Sequence, residues 1–202
     1  MEEIIISNDE VFEPTLEEFF DLHTLIDLLE SKNFDAGFAK VRAPQQWLDQ
    51  WDDVTLLPPN LPISPVAQNF KQHGDGYLIE KHHLKRPTMT LSEYVQRVSE
   101  TVWPYSDVDE CEHHYWSTLR QNAPTVLYGA DINYSLARGE EVDGIHRPYL
   151  YRGSAGSTFG FHTEDYDLHS INIHLHGAPK VWYFVPREDG YRFDQIVSSL
   201  FP

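Results

Sequence analysis

Cysteine is almost absent, with Cys111 the only one in 202 residues. A lone thiol excludes an internal disulfide and a cysteine-based structural zinc site, and it suits a reducing compartment. Also missing is any run approaching the ~20 apolar residues that a membrane-spanning helix requires. The acidic opening, "MEEIIISNDE", lacks the apolar stretch of a signal peptide. No membrane partner and an intracellular location are therefore expected. Basic residues are scarce, 15 Lys and Arg against 32 Asp and Glu, for a net charge of -17. Such a surface repels a phosphate backbone, so direct nucleic-acid binding is not expected, whereas a basic partner would be drawn to it. No phosphate loop is present, because the glycines of "GSAG" (153–156) are not followed by Lys and a helix.

Apolar and aromatic residues are plentiful, at 41% and 13%, and are spread along the chain, which predicts a packed core. The length suits one medium domain, or one domain with a small appendage. In "PTLEEFFDLHTLIDLLE" (14–30), Thr15 stands three before Glu18 as a capping box, and apolar residues follow at helical spacing. One amphipathic helix is predicted there, with short strands before it and at "AGFAKVRAP" (36–44). Residues 56–76 hold Pro58, Pro59, Pro62, Pro65, Gly74 and Gly76, and read as an irregular connecting segment. "YLIEKHHLKRPTMTLSEYVQRVSETV" predicts a strand, a turn at Pro87 and a helix capped by Thr90 or Ser92. From Pro148 the pattern turns to strands at "PYLYRG", "STFGFHTE", "SINIHLHG" and "KVWYFVP", an antiparallel architecture, before a final helix at about 187–200.

His162 and Glu164 lie two apart on the second of these runs, so strand alternation puts both side chains on one face. With a further His they would form the 2-His-1-carboxylate set that leaves open positions on non-haem Fe(II). The spacing alone is weak. A chain this rich in His and acids produces such pairs by chance, and His73 with Asp75 is a second one, in the turn-like "QHGDG". His174 and His176 alternate with Ile173 and Leu175 and could supply a ligand, but read better as cavity-wall residues. "CEHH" (111–114) has no second cluster at zinc spacing and reads as a helix surface.

Several motifs together carry a resemblance. "VFEPTLEEFFDLHTLIDLLE" with "AGFAKVRAPQQW" resembles a JmjN module. "LYGADIN", "PYLYRG", "TFGFHTEDYDLHSIN" and "GAPKVWYFVP" resemble the front half of a JmjC domain. The chain is thus similar to the JmjN/JmjC histone lysine demethylases of subfamily four. The implied fold is mixed α and β, mainly β: a JmjN helix-and-strand unit at 1–52, a mixed connecting region at 53–123, and the N-terminal half of a double-stranded β-helix (a cupin-like jelly roll) at 124–202.

The resemblance implies a dioxygenase that uses Fe(II), 2-oxoglutarate and O2 to demethylate lysines of a histone H3 tail in the nucleus, within chromatin complexes. It makes His162 and Glu164 iron ligands, and Tyr128, Phe159, Asn172 and Lys180 the 2-oxoglutarate pocket. Gly144 and Tyr151 become methyl-lysine contacts. A hydroxyl and a cation suit the far end of a dicarboxylate, which fits Tyr128 and Lys180. Departures are a short Ala137–Asp143 segment, the small Ser154, Ala155 and Gly156, and Phe161 where the family has Trp. The family's third iron ligand, a later His, is expected beyond Pro202. The residues 1–202 alone are then expected to show unpaired strand edges and an incomplete core. An inactive histone-binding or scaffold protein is the alternative.

Overall fold

The computed structural model describes residues 11–31, 37–49, 57–73, 78–99, 103–105, 107–120, 126–132 and 149–200. They fall into two compact units, Met1–Thr55 with Lys180–Pro202, and Leu56–Pro179.

In the first unit, strand β1 (Val11–Phe12) pairs in parallel with β2 (Lys40–Val41), and Arg42 forms an ion pair with Glu13 beside them. Between these strands run helices α1 (Leu16–Phe20) and α2 (Leu22–Ser31). The Thr15–Glu18 capping box starts α1 as the sequence predicts. The single helix expected over 14–30 is instead broken at Asp21, whose backbone is extended. The Asp21 carboxylate accepts from the Thr24 hydroxyl at 2.7 Å and the His23 N–H at 3.1 Å, and bonds from Thr24 above all draw its pKa down. A side chain that caps a new first turn competes with helix continuation, and apolar spacing does not register it. Pro44 ends β2 and precedes α3 (Gln45–Leu48), whose Trp47 packs edge-on against Phe19 at 5.3 Å.

The second unit is built on an antiparallel sheet of order β5-β4-β7-β8, with β4 (Val66–His73), β5 (Leu78–Lys85), β7 (Val126–Ile132) and β8 (Leu150–Gly153). A small pair, β3 (Pro62–Ile63) with β6 (Met89–Thr90), leads into α4 (Leu91–Val98), whose capping residue is Thr90, one of the two that the sequence offered. Ile63, Leu91 and Tyr94 form a buried cluster there. The segment expected to be irregular over 56–76 therefore contains a long strand. Its prolines end at Pro65 and its glycines begin at Gly74, leaving β4 free of both. Ala67 and Gln68 are fully buried on this inner strand. "CEHH" lies on helix α5 (Val108–Arg120), as expected, with His114 edge-on to Trp103 at 4.9 Å.

Of the four runs expected as strands after Pro148, "PYLYRG" supplies β8; the other three, over 157–186, join no ladder among the described residues. Alternation says which face a side chain takes, but a strand also requires a neighbour for its backbone groups. Ile171, Ile173, Leu175 and Phe161 are correspondingly exposed. In the first unit the run 180–186 keeps its alternation without a ladder. Lys180 Nζ lies 5.0 Å from the Trp182 ring, Trp182 stacks on Phe184, and Phe184 stacks on Phe38 at 3.7 Å. Helix α6 (Gly190–Leu200) follows a single 3-10 turn at Arg187–Asp189, as expected.

Candidate metal and co-substrate site

Strands β7 and β8 bring Tyr128 and Tyr151 together. Tyr128 faces Gly153 across the ladder, so Tyr151 is its diagonal neighbour on the same face. Their rings lie parallel at 6.2 Å, and Phe159 stands perpendicular to both at 5.4 and 5.5 Å. Tyr128 is buried, whereas Tyr151 is 36% exposed, so the three rings form a wall with one open side. Residues implied for the co-substrate and for the methylated side chain thus share one aromatic surface.

Tyr94 fixes the backbone behind that wall. Its hydroxyl donates to the Arg152 carbonyl at 2.6 Å and accepts from the Gly129 N–H at 3.1 Å, tying β8 to β7 beside their register shift. Burial pushes the phenol pKa up to about 12. Phe159 is approached through Thr158, whose N–H and carbonyl both bond the side-chain amide of Gln68. Sequence reasoning missed Tyr94, Tyr115, Gln68 and Thr158. Only Tyr94 left a signal, standing three after Leu91 on the apolar face of a capped helix.

His162 Nδ1 lies 2.8 Å from the Gly160 carbonyl. A carbonyl only accepts, so Nδ1 carries a proton, and in the neutral imidazole the Nε2 lone pair is the one left available. Nε2 faces Glu164 Oε1 at 4.0 Å, with both side chains about half exposed. Imidazole nitrogen and carboxylate oxygen are both donors of the kind that bind a transition metal. A carbonyl bonded to the far ring nitrogen is the usual way a histidine ligand is oriented. These two residues fit a metal in the donors they offer. Among the described residues no group of three or more His, Cys, Asp or Glu could hold one, so neither His174 nor His176 joins the pair.

Beyond Glu164 the chain turns sharply. Tyr166 and Asp167 have φ of 57° and 53°, a left-handed conformation uncommon for a tyrosine. Asn172 is exposed between Ile171 and Ile173. Lys180 belongs to the other compact unit, and burial lowers the pKa of its ammonium group. Gly144 lies outside the described residues. Of the eight residues singled out from sequence, Tyr128, Tyr151 and Phe159 therefore meet, and His162 meets Glu164.

Residues 149–201 match the family described as JmjC domain, hydroxylase. The chain is 32% identical to probable lysine-specific demethylase 4F of Homo sapiens, aligned over 95% of its own length and 33% of that protein's. It is 31% identical to lysine-specific demethylase 4D of Rattus norvegicus, covering 95% of this chain and 42% of the relative. Lysine-specific demethylase 4B of Mus musculus is also 31% identical over 95% of this chain, which spans 20% of that protein. The chain thus spans a fifth to two-fifths of the curated relatives it matches. By these matches the chain is similar to the JmjC-domain family over 149–201 and, over 95% of its length, to lysine-specific demethylases of type 4.

Proposed function

We propose that the protein is an Fe(II)- and 2-oxoglutarate-dependent dioxygenase that removes methyl groups from lysines of histone H3. The observation that carries this reading is the His162 imidazole, held by the Gly160 carbonyl with its Nε2 lone pair turned towards Glu164. These two side chains would hold the iron. When bound, Fe(II) with 2-oxoglutarate and O2 supplies the oxidation that hydroxylates an N-methyl carbon, and the product breaks down to formaldehyde and the demethylated amine.

The chain's own residues bind and orient. The resemblance assigns Tyr128, Phe159, Asn172 and Lys180 to 2-oxoglutarate, and a hydroxyl and an ammonium group are suitable partners for a carboxylate. The Tyr151 phenol and the Gly144 carbonyl would face the methylammonium group, for which oxygen atoms and aromatic faces are suitable neighbours. A charge of -17 favours a basic histone tail over nucleic acid, and such a substrate implies a nuclear protein that works within chromatin complexes. On the same footing, 1–52 are assigned to a JmjN module, 53–123 to a connecting region and 124–202 to the JmjC part.

The test is formaldehyde release from methylated histone H3 peptides with added Fe(II) and 2-oxoglutarate, comparing wild type with His162→Ala. Release that depends on 2-oxoglutarate and on His162 is the expected result. A folded protein that binds the peptide and releases no formaldehyde would assign the scaffold role instead.

A further inference from the structure

The segment that carries His162 and Glu164 has no neighbouring strand among the described residues, yet one of its residues is bonded as though it had. Gln68 Oε1 accepts from the Thr158 N–H at 2.9 Å, and Gln68 Nε2 donates to the Thr158 carbonyl at 2.8 Å. In an antiparallel ladder a hydrogen-bonded pair exchanges both of its backbone bonds in the same way. A primary amide offers one acceptor and donors on one plane, so it can replace a peptide group in that exchange.

Gln68 is anchored for this task. It is fully buried, and its own backbone is paired on both sides, with His83 of β5 and Val126 of β7. A second hold comes from α5, where the Tyr115 hydroxyl lies 2.8 Å from Thr158 Oγ1. Thr158 Oγ1 also donates to the Gly156 carbonyl at 3.0 Å, which makes the Tyr115 phenol the donor in the first contact. Backbone and side chain of Thr158 are thus fixed one residue before the aromatic Phe159 and four before His162.

We infer that Gln68, assisted by Tyr115, is a positioning residue for the metal-ligand segment: its amide holds Thr158 in register with the sheet and so sets where His162 and Glu164 can point. This inference rests on the metal-binding role given above to those two residues. Outer contacts that orient ligands change metal affinity by about 10–100-fold when removed.

The experiment measures Mn(II) binding to the 202-residue chain with 2-oxoglutarate present, together with hydrogen exchange at 157–164 and the thermal transition. The chains compared are wild type, His162→Ala, Gln68→Met, Gln68→Glu and Tyr115→Phe. The expected result is His162-dependent Mn(II) binding that weakens about tenfold or more in Gln68→Met, with faster exchange at the Thr158 amide and a cooperative transition retained. Gln68→Glu keeps the acceptor for the Thr158 N–H and loses the donor, so an intermediate affinity is expected. Tyr115→Phe removes one bond and serves if Gln68→Met fails to fold, again with weakened binding expected. His162-dependent binding that is unchanged in every folded Gln68 or Tyr115 variant overturns the positioning role and leaves the functional reading standing. Mn(II) binding indifferent to His162 overturns that reading, and the positioning role falls with it.

Discussion

The Tyr94 hydroxyl donates a 2.6 Å hydrogen bond to the Arg152 carbonyl, and it accepts another from the Gly129 N–H on the adjoining strand. One buried phenol thereby fixes the backbone next to both Tyr128 and Tyr151. Tyr94→Phe leaves a donor and an acceptor unmet in a buried place and should cost about 1–3 kcal/mol in chemical denaturation. The wild-type phenol titrates at about 12 when folded, above its ordinary value. The folded chain then holds this proton more tightly than the unfolded one. The associated stability is intact at neutral pH and declines as pH rises from about 10 towards 12. In Tyr94→Phe that part of the alkaline decline should disappear.

Phe159 stands perpendicular to Tyr128 and Tyr151 and closes the aromatic wall. Phe159→Ala removes two ring contacts worth about 0.5–1.5 kcal/mol each beyond area burial. The expected loss in denaturation midpoint corresponds to about 1–3 kcal/mol, and Phe159→Leu should recover part of it. If Phe159 also lines the co-substrate pocket, the apparent KM for 2-oxoglutarate rises in Phe159→Ala.

Lys180 is partly buried beside Trp182, and burial lowers its pKa from the usual lysine range. The folded chain gives up this proton at a lower pH than the unfolded chain. Between the two values the unfolded form holds more protons, so stability should rise with pH through that window. If Lys180 meets the co-substrate as proposed, the dianion favours the ammonium form, and 2-oxoglutarate affinity should fall as pH rises through the lowered Lys180 pKa. A charge-assisted bond is worth about 1.5–3 kcal/mol, so Lys180→Met should weaken 2-oxoglutarate binding by about 10–100-fold. The pH dependence through the lowered Lys180 pKa should flatten in the same variant, as titration calorimetry would record.

Helix α4 begins at a capping box in which the Thr90 N–H donates to Glu93 Oε2 at 2.8 Å and Thr90 Oγ1 accepts from the Glu93 N–H at 3.2 Å. The bond from the Thr90 N–H, and a second that the Thr90 hydroxyl donates to Glu93 Oε2 at 2.9 Å, lower the Glu93 pKa. The support they give is present above the ordinary carboxylate pKa and is lost as pH falls through the lowered value. Thr90→Ala should cost about 1 kcal/mol and should loosen Tyr94, which lies on the same helix. Glu93→Gln should blunt the acid-side loss of helicity in circular dichroism.

The Thr15–Glu18 capping box, a cap at Thr90 or Ser92, strands β5 and β8 and the final helix were legible because short-range chemistry determines them. Thr15 with Glu18, and Thr90 with Glu93, satisfy the same orphan donors wherever they occur. The break at Asp21 was not legible, since Leu16, Phe19, Leu22 and Leu25 keep a helical period through it. Strand β4 was hidden because punctuating prolines and glycines flank a clean run from Val66 to His73. The strands expected over 157–186 had the right alternation, but pairing is a long-range property that alternation does not carry. At the site, spacing placed His162 and Glu164 on one face. The tautomer set by Gly160 and the grip of Gln68 on Thr158 depend on contacts that only the folded chain makes.

The most direct measurement of the central claim is the yield of succinate and formaldehyde from 2-oxoglutarate and a methylated histone H3 peptide under Fe(II) and O2. In the proposed reaction, decarboxylation of 2-oxoglutarate and hydroxylation of the N-methyl carbon are coupled, so the account predicts one succinate for each formaldehyde, and neither product in His162→Ala. Formaldehyde release that continues in His162→Ala, or that proceeds without 2-oxoglutarate, would contradict it.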